Sequence, residues 1–392
     1  MVLDFLKKST RETPAVLAAP EAKASASAKL AVWGSSGRVV WSPRDVGSLT
    51  KNGFLGNPVG FRAVKVIAEA AAALPVICRD AERRYEAHPI LALLTRPNAG
   101  QTRADLLEAA FAQLMLSGNA YVEALMTEEG YPTELHVLRS DRMSLIPGAD
   151  GWPKAYDYTV GARSHRYPAE LICHIRNFHP QDDHHGLAPI QAAATAIDVH
   201  NSAARWSKAL LDNAARPSGA IVYNGLEGAG TMSQDQFDRL QMELESHHQG
   251  ARNAGRPMLL EGGLDWKPMG FSPSDMEFQK TKDAAARDIA LAFGVPPMLL
   301  GIPGDATYAN YAEANRAFYR LTVLPLAQKV WASMSHWMSG LTGDVVEVTP
   351  DLDGVPALAS EREAQWRRVS EAAFLTDAEK RRLLGLPEQP EA

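Results

Sequence analysis

Two alanine-rich stretches with helical spacing bracket a segment too small to hold a core of its own, and this limits what the chain can become. The first, residues 186 to about 215, sets Ile190, Ala193, Ala194, Ile197, Ala204 and Leu211 on a 3.6-residue period. At 1.5 Å per residue it makes a rod of about 40 Å. Pro217-Ser218-Gly219 breaks it. The second opens at Ser272, a fair cap, with Pro273 at the first helical position and Asp275 three residues after the cap. It runs to Phe293, carries Asp283 and Arg287 as an i,i+4 pair, and stops at Gly294-Val295-Pro296-Pro297. Between the rods the pattern is β-α-β-β. Strands are expected at 220–223, 257–260 and 264–268, and a helix from Ser233 carries Phe237, Leu240 and Leu244. About 50 residues bury too little to stand alone. The insert is therefore expected to pack against copies of itself or a partner.

The rest of the chain predicts an α+β fold. Its 392 residues suggest two or three packing units. Residues 9–50 are rich in Ala, Ser and Pro and predict a mobile arm. Order is expected from Asn57-Pro58, a cap followed by a first-turn proline, with Phe61, Val64, Ile67, Ala68 and Ala71 on helical spacing. Pro75 ends that helix and Val76-Ile77-Cys78 predicts a strand. A helix over 102–117 follows, with Leu106, Ala110, Leu114 and Leu116 inward and Gly118 as its stop. Strands are expected at 120–125, 134–138, 143–145, 155–160 and 172–175. Beyond the second rod, a loop over 302–310 has little charge besides Asp305, and a helix over 311–341 has a kink at Pro325. Two short helices close the chain, opened by Ser360-Glu361-Arg362-Glu363 and Thr376-Asp377-Ala378-Glu379 as capping boxes.

Several chemistries are excluded or unsupported. A formal net charge of −6 is wrong for a protein that coats DNA non-specifically. Cys78 and Cys173 are too few for a disulfide framework and fit reduced thiols. No run of 18 apolar residues occurs, and Met1 to Lys8 has the wrong order for a signal peptide, so the chain is expected in the cytosol when made, with no membrane partner. There is no Gly-x-x-x-x-Gly-Lys-Ser/Thr loop and no Gly-x-Ser-x-Gly elbow, and the glycines of 225–230 are wrongly spaced for a dinucleotide. His179, Asp182, Asp183, His184 and His185 form the one cluster that suggests a metal, but adjacent imidazoles rarely face one ion, and a polar turn before a helix is the plainer reading. His247 and His248 read as a solvated helix end. No catalytic residue, cofactor or metal ligand is assigned.

Seven stretches, in order across about 51–340, resemble the siphophage-type portal protein family. They are Asn57-Pro58 to Pro75; His88-Pro89 through Leu94 to Pro97-Asn98; and Leu116-Ser117-Gly118-Asn119-Ala120-Tyr121. Next come Ile175-Arg176-Asn177-Phe178-His179-Pro180, Gly186-Leu187-Ala188-Pro189 and Ala215-Arg216-Pro217-Ser218-Gly219. The last is Phe293-Gly294-Val295-Pro296-Pro297 with Leu299-Leu300-Gly301. The chain looks most like portals of prophages and gene transfer agents. The resemblance implies an N-terminal arm (1–50), a wing (51–186), a first stem helix (187–216) and a clip (217–271). After these come a second stem helix (272–294), a tunnel loop with a channel helix (295–348) and a C-terminal crown (349–392). It further implies a cyclic ring, twelve subunits in the particle, that passes double-stranded DNA during packaging and ejection. The clip would dock the large terminase subunit and later the head-tail adaptor. The ring would sit among the major capsid protein at the capsid vertex, after assembly in the host cytoplasm.

A conduit for a polyanion must not grip it, because duplex DNA carries one charge per roughly 1.7 Å. The bore is therefore expected to be acidic, polar and small-residue in character. Its expected lining is Asp305, Thr307, Tyr308, Asn310 and Tyr311, and the expected clip contacts are Gln236, Arg239, Glu243 and Trp266. The alternatives are a scaffold oligomer unrelated to DNA and a metal-dependent hydrolase built on His179, Asp182, Asp183 and His184.

Overall fold

In the computed structural model the described residues are 41–80, 83–212, 219–223, 233–235, 237–240, 242, 264–268, 278–304 and 308–386. They fall into two compact units, a small one within 219–268 and a large one made of the rest. The arm as far as residue 40, the strand expected at 257–260, the histidine pair His247 and His248, and the Ser272 cap lie outside the described residues.

In the large unit order begins before Asn57. Val46–Leu49 is helical and runs into a wide π turn, Thr50–Leu55. Residues 41–50 are thus not part of an arm. Asp45 caps Ser48, Leu49 is buried, and Ser42 bonds the Asp198 carboxylate through both its N–H and its hydroxyl. The partner that fixes this segment is 156 residues away, so nothing local announced it.

Asn57 does cap the helix Pro58–Ala72, accepting from the N–H groups of Val59 and Gly60, and Ala63, Val64, Ile67, Ala68 and Ala71 are its buried face. Strand β1 (Val76–Arg79) follows, then β2 (Arg84–Tyr85), the helix Pro89–Thr95 and the helix Arg103–Ser117. The last opens on a full Thr102–Asp105 capping box and closes on Gly118 in the left-handed region. Strands β3 (Asn119–Met126), β4 (Pro132–Leu138), β5 (Met143–Pro147), β6 (Pro153–Val160), β7 (Arg163–Pro168) and β8 (Ile172–Arg176) make two antiparallel sheets, ordered β4-β3-β8 and β5-β6-β7. Tyr121, Leu138, Tyr156 and Ile172 pack together in a second core joining the two sheets. Strand β7 was not expected. Arg-Ser-His-Arg-Tyr-Pro has no apolar alternation, and only its register against β6 reveals it.

The first rod is the helix Ala194–Asp212, preceded by a short turn at Pro189–Ala192. The second is described as Phe278–Phe293. The small unit between them holds β9 (Gly219–Tyr223) paired antiparallel with β10 (Leu264–Pro268), and helical residues at 234–235 and 237–240 that begin at Ser233. Beyond the second rod come the helix Tyr308–Phe318, a π turn Tyr319–Val323 and the helix Leu324–Thr342. The kink expected at Pro325 is this π turn. Pro325 has no N–H for the carbonyl four residues back, and the ladder widens just before it.

Strand β11 (Glu347–Pro350) returns to pair with β1, which lies between β11 and β2. One hydrophobic core therefore runs from Leu49 to Leu358 and includes Trp331 and Met334. The segment 51–186 owns no separate core. Of the two closing helices, Asp377–Leu384 has its Thr376–Glu379 box. Ala359–Glu371 does not use the expected Ser360 box. The turn Pro356–Leu358 feeds straight into it, Leu358 is the cap position, and the Ser360 hydroxyl instead accepts from Arg316.

Candidate channel wall and docking residues

The two rods pack side by side, with Trp206 stacked on Phe278 at 3.8 Å between ring centroids. Ala285, Ala286, Ile289 and Ala290 are the buried positions of the second rod, and these mostly small side chains suit a close approach of the two helices. Five cations (Arg205, Lys208, Lys280, Lys282, Arg287) stand against four carboxylates (Asp198, Asp212, Asp283, Asp288) on the pair, so it is close to neutral. The Asp283–Arg287 pair expected on the second rod does not form. Asp283 accepts from Gln279 at 2.9 Å, and Arg287 turns to the carbonyl of Pro303.

That contact fixes the entry to the expected tunnel loop. Gly294 at positive φ ends the rod, Val295 N–H returns to Ala290, and Gly301 at positive φ makes the next turn. Arg287 then covers Gly304, where an added Cβ would stand 2.9 Å from its guanidinium. Of the expected lining residues, Asp305 and Thr307 lie outside the described residues. Tyr308, Asn310 and Tyr311 are not in a loop. The helix Tyr308–Phe318 begins three residues earlier than its spacing suggested, because Ala309, Ala312, Glu313 and Ala314 are strong helix formers. Asn310 and Tyr311 are exposed on it.

In the small unit, Arg239 is exposed on the helical stretch, and Trp266 occupies the centre of β10 opposite Ile221. Gln236 and Glu243 lie outside the described residues.

The histidine-aspartate cluster is a turn. Asp182 accepts from the backbone of His184 and His185 at 2.8 and 2.9 Å, and its second oxygen meets His185 Nδ1 at 3.0 Å. Those backbone donors hold its carboxyl down at about 2. Its lone pairs are thus committed to the turn's own donors. No group of three or more His, Cys, Asp or Glu among the described residues is placed to hold a metal ion.

Two buried polar networks at the foot of the first rod were missed, since neither has a local sequence signal. His174 stacks on Tyr121, meets the Tyr156 hydroxyl at Nδ1 and, through Nε2, the Asn119 amide oxygen at 3.0 Å. The same oxygen accepts from Gly186 N–H at 2.8 Å. Because an amide oxygen only accepts, Nε2 carries the proton and the ring is neutral. In the second network Asn57 donates to Asn201 at 2.9 Å and lies 3.1 Å from His200, while Asn201 donates to the carbonyl of Asn52. Both tie the base of the rod to the α+β part of the large unit.

With the geometry in place, similarity to known proteins identifies the family. Residues 58–385 match the phage portal protein family. A chain in the neck of an empty gene transfer agent particle, solved with C6 symmetry, is 68% identical, covers 90% of this chain and 96% of its own, and superposes with a TM-score of 0.71. A neck of the native particle with C12 symmetry matches at 66% identity over 90% and 96%, with a TM-score of 0.69. A protein of Rickettsia bellii (strain RML369-C) is 38% identical over 84% of this chain and 87% of its own length. The chain belongs to the phage portal protein family.

Proposed function

We propose that the chain is one subunit of a portal ring at the neck of a phage or gene transfer agent particle, through which double-stranded DNA enters the head and later leaves. The observation that carries this reading is the 68% identity, over nine-tenths of both chains, to a chain in a solved neck. Necks computed with C6 and C12 symmetry support a cyclic assembly, and a head-to-tail contact that closes on itself is the interface such a ring requires.

In this reading the paired rods form the stem and the near-neutral pair of helices faces DNA without gripping it. Segments 51–186 and 295–348 act as wing and channel wall. The tunnel loop begins where Arg287 holds Pro303 and presents Asp305, Thr307, Tyr308, Asn310 and Tyr311 toward the bore. The small unit is the clip, with Gln236, Arg239, Glu243 and Trp266 meeting the terminase and then the adaptor. The last two helices are the crown. No catalytic step is assigned to this chain, so the packaging ATPase is a separate protein.

Negative-stain imaging of the purified chain tests the reading. Annular particles with a central hole are expected, of about 510 kDa if twelve copies of 42.6 kDa close the ring. Solitary globules with no passage at every concentration would refute it.

A further inference from the structure

Strand β8 and the helix Leu324–Thr342 wall an open cleft of about 550 Å³ lined by Trp152, Tyr156, Glu170, His174, Arg176 and Trp337, among others. Arg176 is half-buried there and makes no ion pair with any described residue. The groups that feel its charge are Tyr121, Tyr156, His174 and Lys329: three that are neutral near pH 7, and a second cation. Lys329 is half-buried too. It donates to Asn177 Oδ1 at 3.2 Å, and burial, then Arg176, depress its pKa. Glu170 opens on the cleft but pairs with neither cation, and Asp182, the nearby acid, is held by its own turn.

Two half-buried cations without a carboxylate are costly in a monomer, since desolvation is offset only when a counter-charge arrives. The rim adds a second feature. Trp152 is 60% exposed on the same cleft, and Phe178, two residues past Arg176, is 82% exposed. An arginine among exposed aromatics has the composition of an interface hot spot.

We propose that Arg176 and Lys329 receive a carboxylate from the adjacent copy of this chain, with Trp152 and Phe178 closing around it. This rests on the ring reading. Each copy carries 46 acidic against 40 basic side chains, so a neighbour has carboxylates to offer. A cleft walled by Trp152 and Trp337 admits one side chain, whereas the ridge of a duplex is too broad to enter it. A guanidinium meets a carboxylate through two parallel hydrogen bonds, which fixes the angle between copies as well as their affinity.

The test is a concentration series of the full chain by mass photometry, with R176E, R176K and K329M. The wild-type assembly midpoint is expected to rise with salt. R176E raises that midpoint at least tenfold and loses its salt dependence, R176K shifts it less, and K329M shifts it in the same direction. Thermal melts near wild type show that the variants fold, and if R176E does not fold, K329M decides. R176E rings forming at the wild-type concentration overturn the proposal and leave the ring reading standing. Rings that form normally but bind duplex DNA more weakly reassign the cations to phosphate and also overturn it. A wild-type chain that never closes a ring removes both readings together.

Discussion

Gly186→Ala is the most informative single change, because it places one methyl group between two backbones. Gly186 and Gly118 touch where the helix Arg103–Ser117 ends and the approach to the first rod begins. A Cβ at Gly186 would stand 2.0 Å from the carbonyl oxygen of Gly118 and 2.6 Å from Asn177 N, while ordinary contact begins at 3.4 Å. Both clashing atoms are backbone, so no rotamer relieves them, and the two segments must part by more than about 1 Å. Such a separation breaks the Asn177 N–H bond to Gly118 (2.8 Å) and the Gly186 N–H bond to Asn119 (2.8 Å), and it loosens the His174–Asn119 contact (3.0 Å). Each bond contributes about 1 kcal/mol, and a buried donor left unpaired costs about 1–3 kcal/mol more, so the total is roughly 3–5 kcal/mol. For a unit this large that lowers Tm by about 6–10 °C. Differential scanning calorimetry of wild type and G186A measures it. A loss below about 2 °C would refute the argument that two backbones meet here without room for a methyl.

Gly340→Ala should behave oppositely. Gly340 sits inside Leu324–Thr342 with open space where a Cβ would go, so the change should add about 0.5–1 kcal/mol and raise Tm slightly. Burial, then Arg176, push the His174 pKa down to about 3, so the folded chain refuses a proton that the unfolded chain takes up below about 6.5. Stability from this site is full above pH 6.5 and falls as pH drops from there toward 3, by about 2 kcal/mol at pH 5. H174Q should flatten the fall of Tm between pH 6.5 and 4, and parallel curves for the two proteins would show the reasoning wrong. Asp198→Ala removes the buried acceptor of Ser42, at a cost of about 1–3 kcal/mol. Hydrogen exchange should speed up over residues 42–49 while the helix Ala194–Asp212 keeps its protection, and unchanged exchange over 42–49 would contradict the assigned contact.

Local chemistry alone placed most helix ends. Asn57-Pro58, Thr102 with Asp105, Gly118, Gly294 and Thr376 with Glu379 do their work within four residues, through caps and left-handed turns that a linear reading finds. Strands with apolar residues at alternate positions were equally legible, and so were the two rods and the insert between them. Only the tertiary structure set β1 between β2 and β11, made Asp198 the anchor of the N-terminal helix, turned Arg287 from Asp283 to Pro303, and gathered Tyr121, Tyr156, His174 and Asn119 around Gly186. Those partners lie tens to hundreds of residues apart in the chain. Periodicity records which face of an element is apolar, but it carries no information about which distant face covers it.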